Sequence, residues 1–196
     1  GTKMETMHVE EQSADERYQK GLKQSVTSLY TDSTHEQISE DVKANQVADI
    51  KHLLVSHSDK IASNEKSKKV RGLEEELVIG IQMWDVQTKL ESYENVRGEI
   101  NEADGYSIIE VDTLIELIET MKETKVVFYG EKMEQALKIK EEFKKINEAK
   151  ALVDGFFVEE STTVKELVTR EQLDIAKGKV SEIRQPSLKV KLKSQL

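Results

Sequence analysis

The stretch "LEEELVIGIQMWDVQTKLESYENVRGEI", residues 73 to 100, decides the fold class of this chain. Its apolar residues recur every three or four positions, which is the spacing of one face of an α-helix. The positions on this face are Ile79, Met83, Val86, Leu90, Tyr93, Val96 and Ile100. A second face beside it contains Leu77, Ile81 and Trp84. Because a helix with two adjoining apolar faces contacts more than one neighbour, this segment predicts the central helix of a bundle.

Other helices are indicated by the residues that start them. A Ser or Thr followed three residues later by Glu or Gln is a capping box, which satisfies two backbone donors at a helix start. Such pairs are Ser13 with Glu16, Thr34 with Gln37, Ser107 with Glu110, and Thr163 with Glu166. We therefore expect helices to begin at these four places. A further helix is expected from Glu131 to about Val153, with Gly155 as its C-cap.

Two short stretches are compatible with a small β element. Residues 125–130, "KVVFYG", are rich in β-formers, so a continuous helix, a helix–loop–helix hairpin and a short strand are all compatible with them. Residues 187–196, "SLKVKLKSQL", begin with Leu and Val alternating with Lys, the period of a half-buried strand. The predicted fold is mainly α, an elongated bundle of about four to six helices, with a small β element near the C-terminus as an option and α+β as the alternative.

The domain organisation predicted from length and composition is simple. A chain of 196 residues fits one domain, and no Gly/Ser-rich or Pro-rich linker divides it. We predict a single helical domain over residues 1–186, including a polar lead-in over 1–12. Residues 187–196 form a basic tail that could be a short strand, and from Arg184 onward the chain has four basic residues and no acidic one.

Composition argues against several classes of function. The formal net charge is −9 and only five arginines are present, which disfavours nucleic acid as a partner because phosphate contacts need a Lys/Arg surplus. The absence of cysteine removes disulfides, thiolate metal sites and cysteine nucleophiles. No apolar run of about 18 residues is present, so no transmembrane segment is expected.

The motif search predicts no catalytic, cofactor-binding or metal-binding residues. The stretch "INEADGYSIIEVD", residues 100–112, looks like a calcium loop, but placing Gly105 at the sixth position puts Ile100 first and Val111 twelfth. Neither side chain can bind calcium, so an ordinary turn at Asp104-Gly105 is the better interpretation. His52 and His57 lack the spacing of metal ligands, and no phosphate-binding or nucleophile motif is supported. We therefore predict a protein that is not an enzyme and has no cofactor.

The expected function is a non-enzymatic binding or structural module of a bacterial cell envelope, acting through a helix face on a protein or a cell-wall glycan. Gly1 resembles a processing scar, so we expect an extracytoplasmic protein, secreted or lipid-anchored, with a cytoplasmic location as the alternative. The alternatives are an extracytoplasmic sensor with a small molecule bound near Trp84, Met83 and Tyr93, and a cytoplasmic helical adaptor or scaffold.

Overall fold

The computed structural model describes residues 2–58, 66–157, 164–165 and 168–196, and the side chains among them apart from those of residues 2–13 and 58. These ranges contain seven α-helices and no β-strand, so the prediction of a mainly α fold is confirmed. The helices are α1 (Thr2–Leu29), α2 (Ala44–Ser58), α3 (Lys68–Tyr93), α4 (Ile108–Glu119), α5 (Val126–Asp154), α6 (Arg170–Ser181) and α7 (Pro186–Gln195). None of the described helices is long and apolar enough to cross a bilayer.

The chain divides into two compact units, with boundaries within α3, within α5 and in the turn between α4 and α5. Unit 1 comprises Gly1–Asp85 and Glu123–Phe128, and unit 2 comprises Val86–Lys122 and Tyr129–Leu196. Buried apolar side chains of unit 1 include Leu22, Val26, Leu29, Val47, Leu77, Met83 and Phe128. Those of unit 2 include Leu90, Ile100, Val111, Ile118, Ile139, Phe143, Ile146 and Val180. The single domain over 1–186 and the separate tail stay predictions.

The segment that decides the fold class is helical as predicted, but α3 ends at Tyr93 instead of near Ile100. The chain turns where Gly98 adopts a φ of 75°, a conformation that L side chains resist. The side-chain oxygen of Asn95 accepts hydrogen bonds from the backbone N–H of Arg97 at 2.9 Å and of Glu99 at 3.0 Å. This turn brings Ile100 to full burial although it lies outside the helix.

The helix predicted to begin at Thr34 starts ten residues later, at Ala44. The Thr34 hydroxyl donates to Asp32 Oδ1 at 2.5 Å, and the same oxygen accepts from the Thr34 backbone N–H at 2.9 Å. A local turn therefore uses the groups that would have capped a helix. Lys43 precedes the observed start, and its N–H donates to the side chain of Gln46 at 2.7 Å.

Neither optional strand forms. Residues 126–130 belong to α5, and the turn that precedes them makes α4 and α5 a helix–loop–helix hairpin, one of the three alternatives. At the C-terminus, Pro186 opens α7 and Gln185 caps it by accepting the Leu188 N–H at 2.5 Å. Proline suits the first helical turn because its missing N–H is not needed there. The strand predicted from the alternation of Leu and Val with Lys was wrong. These apolar residues do not share one buried face, since Leu192 is buried but Val190 is 68% exposed.

The remaining predicted helix starts have mixed outcomes. Ser107 caps α4 by accepting the Glu110 N–H at 3.2 Å, as predicted. α1 begins at Thr2, ahead of the predicted start at Ser13, and the segment predicted from Glu131 begins at Val126. The predicted start at Thr163 lies outside the described residues. The last predicted helix corresponds to α6, whose N-cap is Thr169.

Candidate functional site

A groove of about 450 Å³ follows one face of α3 within unit 1. Its described lining residues are Arg71, Glu74, Glu75, Val78 and Ile79. At about 100° per residue these positions lie within an arc of about 140°, so they form one continuous helix face. Val78 is 48% exposed, whereas the neighbouring Leu77 is fully buried. The groove thus presents an apolar strip with charged residues at its N-terminal end.

The two carboxylates of this groove differ in their surroundings. Glu74 Oε2 lies 2.9 Å from Lys66 Nζ and accepts the Tyr18 hydroxyl at 2.8 Å. Burial, together with the bond to this carboxylate and its charge, raises the pKa of the Tyr18 phenol well above its usual range. Glu75 is exposed and forms no ion pair with any described residue. Glu74 is therefore held within the fold, whereas Glu75 is available to a cationic group from outside.

A second, smaller cavity of about 190 Å³ lies within unit 2. Its lining combines residues from the end of α3, the loop before α4, the start of α4 and the middle of α5. They are Lys89, Ser92, Tyr93, Asn101, Ala103, Gly105, Ser107, Glu110 and Phe143. One wall is therefore the stretch that resembles a calcium loop, but it supplies no second carboxylate at the cavity.

The polar groups of the cavity converge on Glu110. Lys89 Nζ forms an ion pair with Glu110 Oε1, and the Tyr93 hydroxyl donates to the same oxygen at 2.8 Å. These two hydrogen bonds, that from Lys89 foremost, hold the pKa of the Glu110 carboxyl below its usual range. Burial, followed by the bond to this carboxylate, raises the pKa of the Tyr93 phenol above its usual range.

Aromatic rings form the apolar side of the cavity. The Phe143 ring is 2% exposed and meets the Tyr93 ring edge to face, with centroids 5.3 Å apart. Lys89 Nζ lies 5.2 Å from the centroid of the Tyr93 ring, within the range of a cation–π contact. An ammonium group therefore already lies between a carboxylate and an aromatic ring, and it belongs to the protein itself.

The residues expected to form a sensor pocket do not share a cavity described here. Tyr93 lines the cavity of unit 2, but neither of its expected companions does. Met83 is fully buried, and Trp84 is half-buried with its indole N–H donating to the Val42 carbonyl at 3.2 Å. The roles of Lys89 and Glu110 in this cavity were not predicted, although Lys89 and Tyr93 have the four-residue spacing that places two side chains together on a helix.

The contacts of His57 and the exposed position of His52 are those of ordinary helix residues, not of metal ligands. The His57 ring stacks on Tyr18 with centroids 3.7 Å apart, and its Nε2 lies 3.8 Å from an Asp15 carboxylate oxygen. His52 is exposed on α2. Within the described ranges, no group of three or more His, Asp or Glu side chains is arranged to hold a metal ion.

Comparisons with protein-family models, with curated proteins and with solved structures found no match for this chain. The function is therefore argued from the groove of unit 1 and the cavity of unit 2. The groove is the larger of the two and lies on a helix face, while the cavity is lined by residues of three helices and a loop. The groove suits a large partner such as a polypeptide, and the cavity suits a small molecule or a single side chain.

Proposed function

We propose that this protein is a non-enzymatic binding module that receives a polypeptide partner along the groove of α3. The observation that supports this most directly is the half-exposed Val78 within that groove. Proteins use such grooves to bind an amphipathic helix, whose apolar residues recur every three or four positions.

The charges of the groove favour a partner with a basic side chain near its apolar residues. Glu74 is already neutralised by Lys66, whereas Glu75 has an exposed carboxylate on the same face. A Lys or Arg of the partner would pair with Glu75 while an apolar side chain covers Val78. The pair at the edge would set orientation and association rate, and the apolar contact would supply most of the affinity.

A bacterial cell envelope is the proposed location of this module. The support is compositional: the chain is acidic, cysteine-free and rich in Lys and Glu. Fractionation of the source cells, with the N-terminal residue of the native protein determined, tests the location. Recovery with the envelope and a signal-processed or lipid-modified start supports it, and an unprocessed protein in the cytosol contradicts it in favour of an intracellular adaptor.

Site-specific photocross-linking in the source cells tests the groove itself. A benzophenone-bearing residue would replace Val78, and in a matched strain it would replace Val190, a valine on α7 that is even more exposed. We expect one discrete adduct from position 78 that is absent from position 190. The adduct should also fall at least about fivefold when Glu75→Lys reverses the charge beside it.

The pattern of adducts decides the outcome. An adduct of the same mass from both positions, or one from position 78 that is unaffected by Glu75→Lys, would contradict binding in this groove. Circular dichroism of each variant confirms that folding is retained, which is expected because positions 75, 78 and 190 are all exposed.

A further inference from the structure

We infer that the cavity of unit 2 binds a primary alkylammonium, in the position that Lys89 fills with its own side chain. This site is separate from the groove of α3 and does not depend on what binds there. The inference rests on three observations: a cavity with an apolar floor, a carboxylate at its edge, and an ammonium already held between that carboxylate and an aromatic ring.

The position of Lys89 shows which chemistry the site accepts. Its ammonium pairs with Glu110 and lies 5.2 Å from the centroid of the Tyr93 ring. An incoming ammonium in the same place would make both interactions and would donate to the carboxylate as Lys89 does. An anion would meet the Glu110 carboxylate, so the local charge opposes it.

Lys89 can leave this position because it is not buried. The Lys89 side chain is 45% exposed and that of Glu110 is 47% exposed. Ion pairs between side chains this accessible contribute little to stability, since water replaces most of what is lost. Glu110 itself stays in place, because its backbone N–H is bound by Ser107 and its carboxylate by Tyr93. A ligand therefore competes with the weakly bound Lys89 ammonium for the Glu110 carboxylate, which keeps its orientation.

The size and lining of the cavity limit the ligand to a small amine. A volume of about 190 Å³ lies below the range of drug-sized sites, which begins at about 300 Å³. It is comparable to the space of about six water molecules. The buried ring of Phe143 offers an apolar surface for a short alkyl chain, while the Ser92 and Asn101 side chains line the polar side.

An NMR titration of the full chain tests the inference. The probe is n-propylammonium chloride, compared with propan-1-ol as the neutral analogue and with sodium chloride at equal ionic strength. We expect saturable shifts of the backbone amides of Ala103, Gly105 and Ser107 with the amine alone. Equal shifts with the alcohol, or none that differ from sodium chloride, would overturn the inference.

Matched substitutions test the roles of Lys89 and Glu110. Lys89→Ala removes the internal competitor and should lower the dissociation constant about three- to fivefold. Lys140→Ala is its control, because Lys140 is paired with Asp112 at 2.6 Å and does not line the cavity. Glu110→Gln should weaken binding at least about tenfold, whereas Asp112→Asn should not. If each control behaves like its test variant, general charge explains the binding and the specific site is rejected.

The ammonium could belong to a free amine or to a lysine side chain of another polypeptide. A capped Gly-Lys-Gly peptide, titrated in the same way, separates the two sources. Tighter binding of n-propylammonium identifies a free amine as the ligand class, and tighter binding of the peptide identifies a lysine side chain. In either case, Glu110→Gln should weaken the binding of the tighter ligand at least about tenfold. The groove is not involved, so Val78→Asp should leave both titrations unchanged.

Discussion

The Nζ atom of Lys125 lies 2.8 Å from Glu76 Oε2, and Lys125 is only 3% exposed. The same ammonium donates to the His35 carbonyl at 2.9 Å and lies 4.8 Å from the centroid of the Tyr30 ring. Lysine is rarely buried without partners, because an uncompensated charge is costly inside a protein. Within unit 1, this one side chain therefore ties the residue before α5 to α3 and to the loop after α1.

Replacing Lys125 with Met should destabilise unit 1 by about 2–3 kcal/mol. The apolar stem is kept, but Glu76 loses its ammonium and the His35 carbonyl loses a donor. The cost stays below that of a fully buried pair because the Glu76 side chain is 31% exposed. Urea denaturation measures it, with Lys122→Met as the control. Lys122 is 62% exposed, so its loss should cost less than about 0.5 kcal/mol, and equal costs would contradict the role of Lys125.

Two glycines of α3 should respond in opposite directions to alanine. At Gly80 a Cβ would lie 2.5 Å from a Leu29 methyl and 2.9 Å from the Tyr30 hydroxyl, and both neighbours are buried. We expect Gly80→Ala to destabilise by about 1–3 kcal/mol despite the better helix propensity of Ala. At Gly72 the added Cβ has no neighbour within 4 Å among the described residues outside the local helix backbone, so Gly72→Ala should stabilise by about 0.5–1 kcal/mol. Thermal unfolding of both variants checks this, and a shift of the same sign would refute the packing argument.

Arg184 should not tolerate replacement by lysine. Its guanidinium donates to the Gly98 carbonyl at 2.5 Å, and lies 3.2 Å from Glu142 and 3.6 Å from Glu94. Lysine has one ammonium in place of this planar fork and cannot reach all three groups, so Arg184→Lys should cost about 1–2 kcal/mol. Arg97 is exposed in the same region, and Arg97→Lys should be neutral within about 0.5 kcal/mol in the same urea denaturation. Equal values for the two would show that charge alone matters.

The titration of Glu110 should depend on Lys89. Because the carboxyl pKa is lower in the folded protein than in the unfolded chain, Glu110 stabilises the fold above its ordinary pKa of about 4.3. That contribution is lost as the pH falls through the lower folded value. Lys89→Ala removes the largest cause of the shift, so carboxyl NMR should record a higher pKa. Lys140→Ala should leave it unchanged, and a Glu110 pKa unaffected by Lys89→Ala would contradict this assignment.

Much of the fold could be predicted because apolar spacing and helix caps are local properties of the sequence. The helix α3 and the Ser107 cap of α4 were predicted for this reason. The start of α5 could not be predicted in the same way. Val126 and Val127 favour strands, and the burial of Phe128 and Lys125 that holds this segment depends on residues far along the chain.

The candidate site was harder to predict than the fold. Lys89 looked like an ordinary surface charge, and Glu110 was expected only as the partner of Ser107 in a capping box. Their contact at one cavity depends on the conformation of the loop between α3 and α4. The capping box at Thr34 failed for a related reason. A short-range bond to Asp32 competes for the same atoms, and the sequence pattern does not show which bond is stronger.

The backbone N–H of Ile100 donates to the Arg184 carbonyl at 2.8 Å, so unit 2 joins positions 84 residues apart. All residues of unit 1 precede position 129, whereas unit 2 needs residues beyond 180. Since polypeptides emerge from the ribosome N-terminus first and their compact units fold in that order, unit 1 can close while unit 2 is still incomplete. A chain truncated between residues 128 and 184 would therefore expose the apolar surface of unit 2 around Ile100, and chaperones should bind it there.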